Sequence, residues 1–130
     1  MFHKFNSQEE RKKYGGTSYI EIQYCELKPS FKINEIVSVN HIKHWNDKSL
    51  YIQLDDIEEF VDLYKEIFDN GVYNNLTEGY IDEYGINYYS KDKVEIIKNK
   101  LQVIKPKDFE ILLRWLEDSK KYNGIYILGI

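Results

Sequence analysis

The sequence has no alanine, one cysteine, one methionine and two prolines among its 130 residues. The lone Cys25 excludes an intramolecular disulfide framework and fits a reducing compartment. No apolar run approaches the length of a membrane span. The N-terminal MFHKFNSQEERKKYGG lacks the apolar stretch of a secretory signal, so the cytoplasm is the expected location. No phosphate loop, metal-ligand spacing or nucleophile motif occurs, so neither a cofactor nor a metal is expected, and the chain does not read as an enzyme. Basic residues are scattered, with Arg11-Lys12-Lys13 the only tight run, which argues against a nucleic-acid partner.

What is present is a globular balance: 42% hydrophobic, 31% charged, 22 acidic side chains against 18 basic, and a net charge of −4. The length suits one domain over residues 1–130, with 1–16 a frayed lead-in or a short helix. Tyr reaches 12. Its codons are A/T-rich like those of the abundant Ile, Lys and Asn, so part of the excess reflects the genome. Tyr is nonetheless a rigid, amphipathic side chain suited to interfaces.

Periodicity supplies the elements. Ser18–Leu27 alternates as a half-buried strand, with Ile20, Ile22 and Tyr24 on one side and Glu21, Gln23 and Cys25 on the other. Glu35–Trp45 and Ser49–Leu54 read as a hairpin turning at Asn46-Asp47-Lys48. Asp56–Asn70 reads as a helix, with Asp55 as N-cap, Glu58 completing a capping box and Gly71 as a left-handed cap. Its stripe is Ile57, Phe60, Val61, Tyr64 and Phe68. Within 72–90, either Tyr80–Asp82 pairs with Ile86–Tyr89 or the second stands alone.

Lys91–Ile104 carries Val94, Ile97, Leu101 and Ile104 at helical spacing behind a Ser90 cap. A hairpin across Lys98-Asn99-Lys100 is the competing reading. Pro106 suits the first turn of a helix reaching about Lys121. Ile125–Ile130 reads as a covered, central strand. The sum is an α+β fold, a mostly antiparallel sheet with about three helices on one face.

Charge is segregated along this chain. Asp55 to Asn87 holds ten acids and one base, Lys65, a net of −9. The remaining residues hold twelve acids and seventeen bases, a net of +5. Glu58, Asp62 and Glu66 follow one another at i, i+4 spacing, where like charges repel by about 0.2–0.5 kcal/mol per pair. Such a face serves solubility or meets a cationic partner. Nearby tyrosines add apolar anchors and favour a protein partner.

Other groups carry less. His41 and His44 would point to opposite faces of a strand, with no further ligand beside them. Cys25 reads as an inert small hydrophobe. Trp115, with Ile111, forms a second stripe that packs under a sheet edge or meets a second copy.

The C-terminal third carries a resemblance. Gly85-Ile86-Asn87-Tyr88-Tyr89, then Lys105-Pro106, Asp108-Phe109, Leu112-Leu113, Trp115-Leu116 and Gly124–Ile130 resemble small immunity proteins encoded beside bacterial polymorphic toxins, contact-dependent inhibition systems among them. The resemblance implies a domain that blocks a cognate toxin stoichiometrically, many such toxins being basic nucleases. The residues expected to meet that toxin are Asp56, Glu59, Asp62 and Glu66, with Tyr80, Asp82, Glu83 and Tyr84. The alternative is a small adaptor or regulatory module, homodimeric through Trp115.

Overall fold

A computed structural model describes residues 1–130. Six strands form one wholly antiparallel sheet in an α+β fold. They are β1 (Tyr19–Tyr24), β2 (Leu50–Gln53), β3 (Gly71–Val72), β4 (Glu78–Gly79), β5 (Ile86–Tyr89) and β6 (Ile125–Leu128), in the order β2-β1-β6-β5-β3-β4. The register pairs Glu21 with both Tyr51 and Leu128, and Ile86 with Leu128. The apolar last strand is therefore central, as its composition predicts.

Five helices cover the two faces: α1 (Gln8–Gly15), α2 (Ile33–Ile36), α3 (Ile57–Tyr64), α4 (Lys91–Ile104) and α5 (Phe109–Glu117). The main core lies between α3, α4, α5 and the side chains that the strands turn toward them, Ile20, Ile22, Ile52, Tyr89, Ile125 and Ile127. α4 follows its sequence signals. The Ser90 hydroxyl accepts from the Lys93 amide, and Lys105, left-handed at φ 50°, ends the helix before Pro106. Val94, Ile97 and Leu101 are buried. Their burial contributes roughly 5–9 kcal/mol, against about 1 kcal/mol for the cap, so packing rather than capping holds α4.

The other face carries the alternate positions of the same strands. Tyr126, Leu128, Cys25 and Tyr88 pack under Ile36, Val37 and Ile42. Phe5, Tyr19 and Tyr51 form a third cluster near α1. β1 is consequently buried on both faces, where a half-buried strand was expected. The lead-in is ordered by this packing. Phe2 and Phe5 are buried, and His3 bridges Tyr51 with bonds of 2.9 and 2.8 Å.

Several expectations are corrected. Residues 35–45 form no strand: α2 and a 3-10 turn at Val39–His41 take their place. The Glu35 carboxylate accepts from the Lys32 amide at 3.1 Å, and the Ser38 hydroxyl from the Asn40 amide at 3.3 Å. These local bonds draw the backbone away from a ladder. α3 stops at Tyr64, and neither Asp55 nor Asp56 caps it with its side chain. A 3-10 turn, Leu54–Asp56, leads in, and Asp56 already has φ −100°, ψ −5° rather than the extended backbone of a cap. Gly71 belongs to β3, where it pairs with Gly79. Tyr80–Asp82 forms no strand, because β5 pairs with β3 and β6 instead. Pro106 lies ahead of α5, whose N-cap is Asp108 at φ 64°.

Candidate functional site

Two surfaces merit comparison, the acidic helix face and the groove on the sheet's second face. On α3 the apolar stripe turns Ile57, Phe60 and Tyr64 inward, so Glu58, Glu59 and Asp62 stand in solvent. Glu66 follows, exposed, in the turn beyond the helix. Lysines border this face. Lys107 pairs with Glu59 at 3.0 Å, Lys100 with Asp69 at 3.0 Å, and Lys93 with Glu78. No cation lies within 4.0 Å of the carboxylates of Asp55, Glu58, Asp62 or Glu66. Asp56 is half-buried at the helix entrance.

The remaining expected contacts lie in the connection from β4 to β5. Tyr80 is 54% exposed and Tyr84 79%. An Asx turn shapes this loop: the Asp82 carboxylate accepts from the Tyr84 amide at 2.9 Å. The Asn87 side chain holds its base, accepting from the Asp82 amide at 2.9 Å. Glu83 is half-buried, and its carbonyl accepts from the Ile130 amide at 2.8 Å. α3 packs on the sheet face that carries the main core, whereas Asp82 and Tyr84 border the opposite face, beside Ile42, Ile86 and Leu128. The expected residues therefore form two patches, and no hydrogen bond or ion pair links them.

Asp82 and Tyr84 also border a cavity of about 420 Å³ on the second sheet face. Its apolar wall includes Val39, Ile42, Ile86 and Leu128. A smaller cavity of about 170 Å³ adjoins it, sharing His44, Leu128, Gly129 and Ile130. Arg11 and Glu21 line this second cavity, and both are buried. The Ser49 hydroxyl donates to Glu21 Oε2 at 2.7 Å and the Gln23 amide at 2.9 Å, with the Tyr51 hydroxyl 3.1 Å away. Burial pushes the Glu21 carboxyl above its usual range, while these hydrogen bonds and Arg11 pull it back.

The sequence reading missed this polar wall by assigning Glu21 and Gln23 to a solvent face. The available signal was β6: a wholly apolar central strand requires neighbours covered on both sides.

His41 and His44 are exposed and sit outside any strand, contrary to expectation. No group of three His, Cys, Asp or Glu side chains converges as a metal-binding set. Cys25 is sealed beside the Tyr126 hydroxyl at 3.4 Å, and burial pushes its thiol up. Trp115 stacks on Tyr24 with centroids 4.0 Å apart, and its indole N–H donates to the Lys48 carbonyl at 2.7 Å. At 4% exposure it offers no face to a second copy. No helix is long and apolar enough to cross a membrane. Comparison with protein families, curated proteins and solved structures gives no match for this chain.

Proposed function

We propose that this chain is a cytoplasmic binding protein that neutralises a basic toxin, in the manner of the immunity proteins its C-terminal third resembles. The observation that carries the reading is the run of carboxylates along α3 and just beyond it. Asp55, Glu58, Asp62 and Glu66 have no cation within 4.0 Å, although Lys107 and Lys100 stand at the borders of the same face. Uncompensated repulsion between neighbours four residues apart costs stability, and a cationic partner removes that cost on binding. Long-range attraction steers such a partner to the helix. Tyr84, the most exposed aromatic side chain, supplies an anchor of large area at small entropic cost. The bound chain covers the toxin one to one and performs no chemistry on it.

The test is capture of partners by the tagged chain in its native host, at low and moderate salt. A stoichiometric basic partner is expected. Asp62→Lys with Glu66→Lys should lower its association rate about tenfold at low salt, with a smaller effect at high salt. Both residues are exposed and unpaired, so the fold is undisturbed. A partner whose association rate is unchanged by these substitutions rules out the acidic face. Tyr84→Ala separately reads the loop patch, through the dissociation rate.

A further inference from the structure

The second sheet face buries a cation that has no acceptor. Arg11 comes from α1, is only 8% exposed and lines the smaller cavity. Its guanidinium carbon lies 5.5 Å from the ring centroid of Tyr19, 5.6 Å from that of Trp45 and 5.4 Å from that of Tyr51. These rings hold the group by cation–π attraction but accept none of its directional hydrogen bonds. Nε is wholly enclosed without a partner. No carboxylate comes within 4.0 Å of the guanidinium nitrogens. Nε is sealed from the cavity, and the two terminal nitrogens, which also meet no protein acceptor, are the donors left for an anion in front of them.

The surroundings specify the anion. A guanidinium presents a planar fork matched to the two oxygens of a carboxylate. Glu21 forms part of the same cavity wall, and Asp82 belongs to the next cavity. A dianionic phosphate would face both acids, whereas a single negative charge meets the least repulsion. The neighbouring 420 Å³ space continues from the head pocket across Leu128 and Gly129, with Ile42 and Ile86 in its wall. It accommodates an apolar tail.

We propose that this groove binds a small monocarboxylic acid, its carboxylate on the Arg11 fork and its apolar tail along Ile42, Ile86 and Leu128. The site uses neither α3 nor a partner protein, so its failure leaves the neutralisation reading intact, and the converse holds.

Octanoate is the probe, titrated into the full chain by calorimetry and by NMR of the Arg11 Nε–H. Octanamide and inorganic phosphate are the controls. Octanoate should bind saturably and shift the Nε–H resonance, and octanamide should do neither. Arg11→Lys should weaken binding at least tenfold, because it keeps the charge and loses the fork. Ile86→Trp, which fills the tail space and leaves the fork intact, should weaken it comparably. The shift in the unsubstituted chain stands as a test whether or not either variant folds. Absence of saturable binding, or binding unaffected by Arg11→Lys, overturns the site. Phosphate binding as tightly as octanoate overturns the assignment to a monocarboxylate.

Discussion

Gly16 and Gly124 offer a matched pair for separating backbone strain from lack of space. Their φ angles are 84° and 86°, a region that costs an L-residue about 1–3 kcal/mol. They differ in surroundings. A Cβ on Gly16 would meet nothing within 4 Å, since the residue follows α1 in solvent. On Gly124 it would overlap the Tyr89 carbonyl oxygen and lie 3.1 Å from the Tyr88 hydroxyl and 3.2 Å from Ser90 Cα. That crowding has a structural cause. The chain reaches β6 through a turn tied to Cys25 by bonds of 2.9 and 3.0 Å, with the Tyr88 hydroxyl donating to the Asn123 carbonyl at 2.7 Å.

Gly16→Ala should therefore cost about 1–2 kcal/mol, because its surroundings are free to relax. Gly124→Ala also places a side chain at positive φ and must in addition push β5 and β6 apart, for a total of about 4 kcal/mol or more. Urea unfolding at equilibrium, followed by far-ultraviolet circular dichroism, measures both. Equal losses in the two variants would refute the argument that β5 and β6 close tightly on this turn.

Three further outcomes follow from the packing. Folded Glu21 titrates above its ordinary value of 4.5, burial being the main cause. Its contribution to stability is thus full below about pH 4.5 and is lost as pH rises through the folded value. The unfolding free energy of the native chain, less that of Glu21→Gln, should fall as pH rises from 4.5; a rise refutes the burial. Trp115→Phe orphans the Lys48 carbonyl, now paired at 2.7 Å, and should cost about 1–3 kcal/mol by urea unfolding. Ser90→Ala removes the α4 cap and should cost about 0.5–1 kcal/mol, with hydrogen exchange accelerated at Lys93 and little changed at Leu101.

Elements with a long buried stripe were legible from the sequence. α4, α5 and β6 were found because Val94-Ile97-Leu101, Leu112 with Leu116, and Ile125–Leu128 bury their apolar residues in the period their pattern announces. Residues 35–45 misled because Val37, Val39 and His41 alternate, yet burial falls on Ile36, Val37 and Ile42. Short polar side chains there bond to their own backbone, a competition that periodicity does not record. The acidic face was legible because charge needs no tertiary information. The Arg11–Glu21 wall was not, because it joins a helix that reads as a lead-in to a strand whose second face reads as wet.

The position of β6 has a consequence for how the chain reaches this state. β2 and β1 form one part of the sheet, β5, β3 and β4 the other, and β6 alone pairs with both. It is also the last strand in sequence order. During synthesis the ladder edges of β1 and β5 both emerge before the strand that joins them. Each is then an open edge of apolar residues, available to wrong partners. Closing the sheet requires β1 to pair with a strand about a hundred residues away, a contact whose loop entropy slows folding. A chain made as far as α5 thus cannot yet form its central strand, and the interval before β6 arrives is when aggregation competes most strongly with folding.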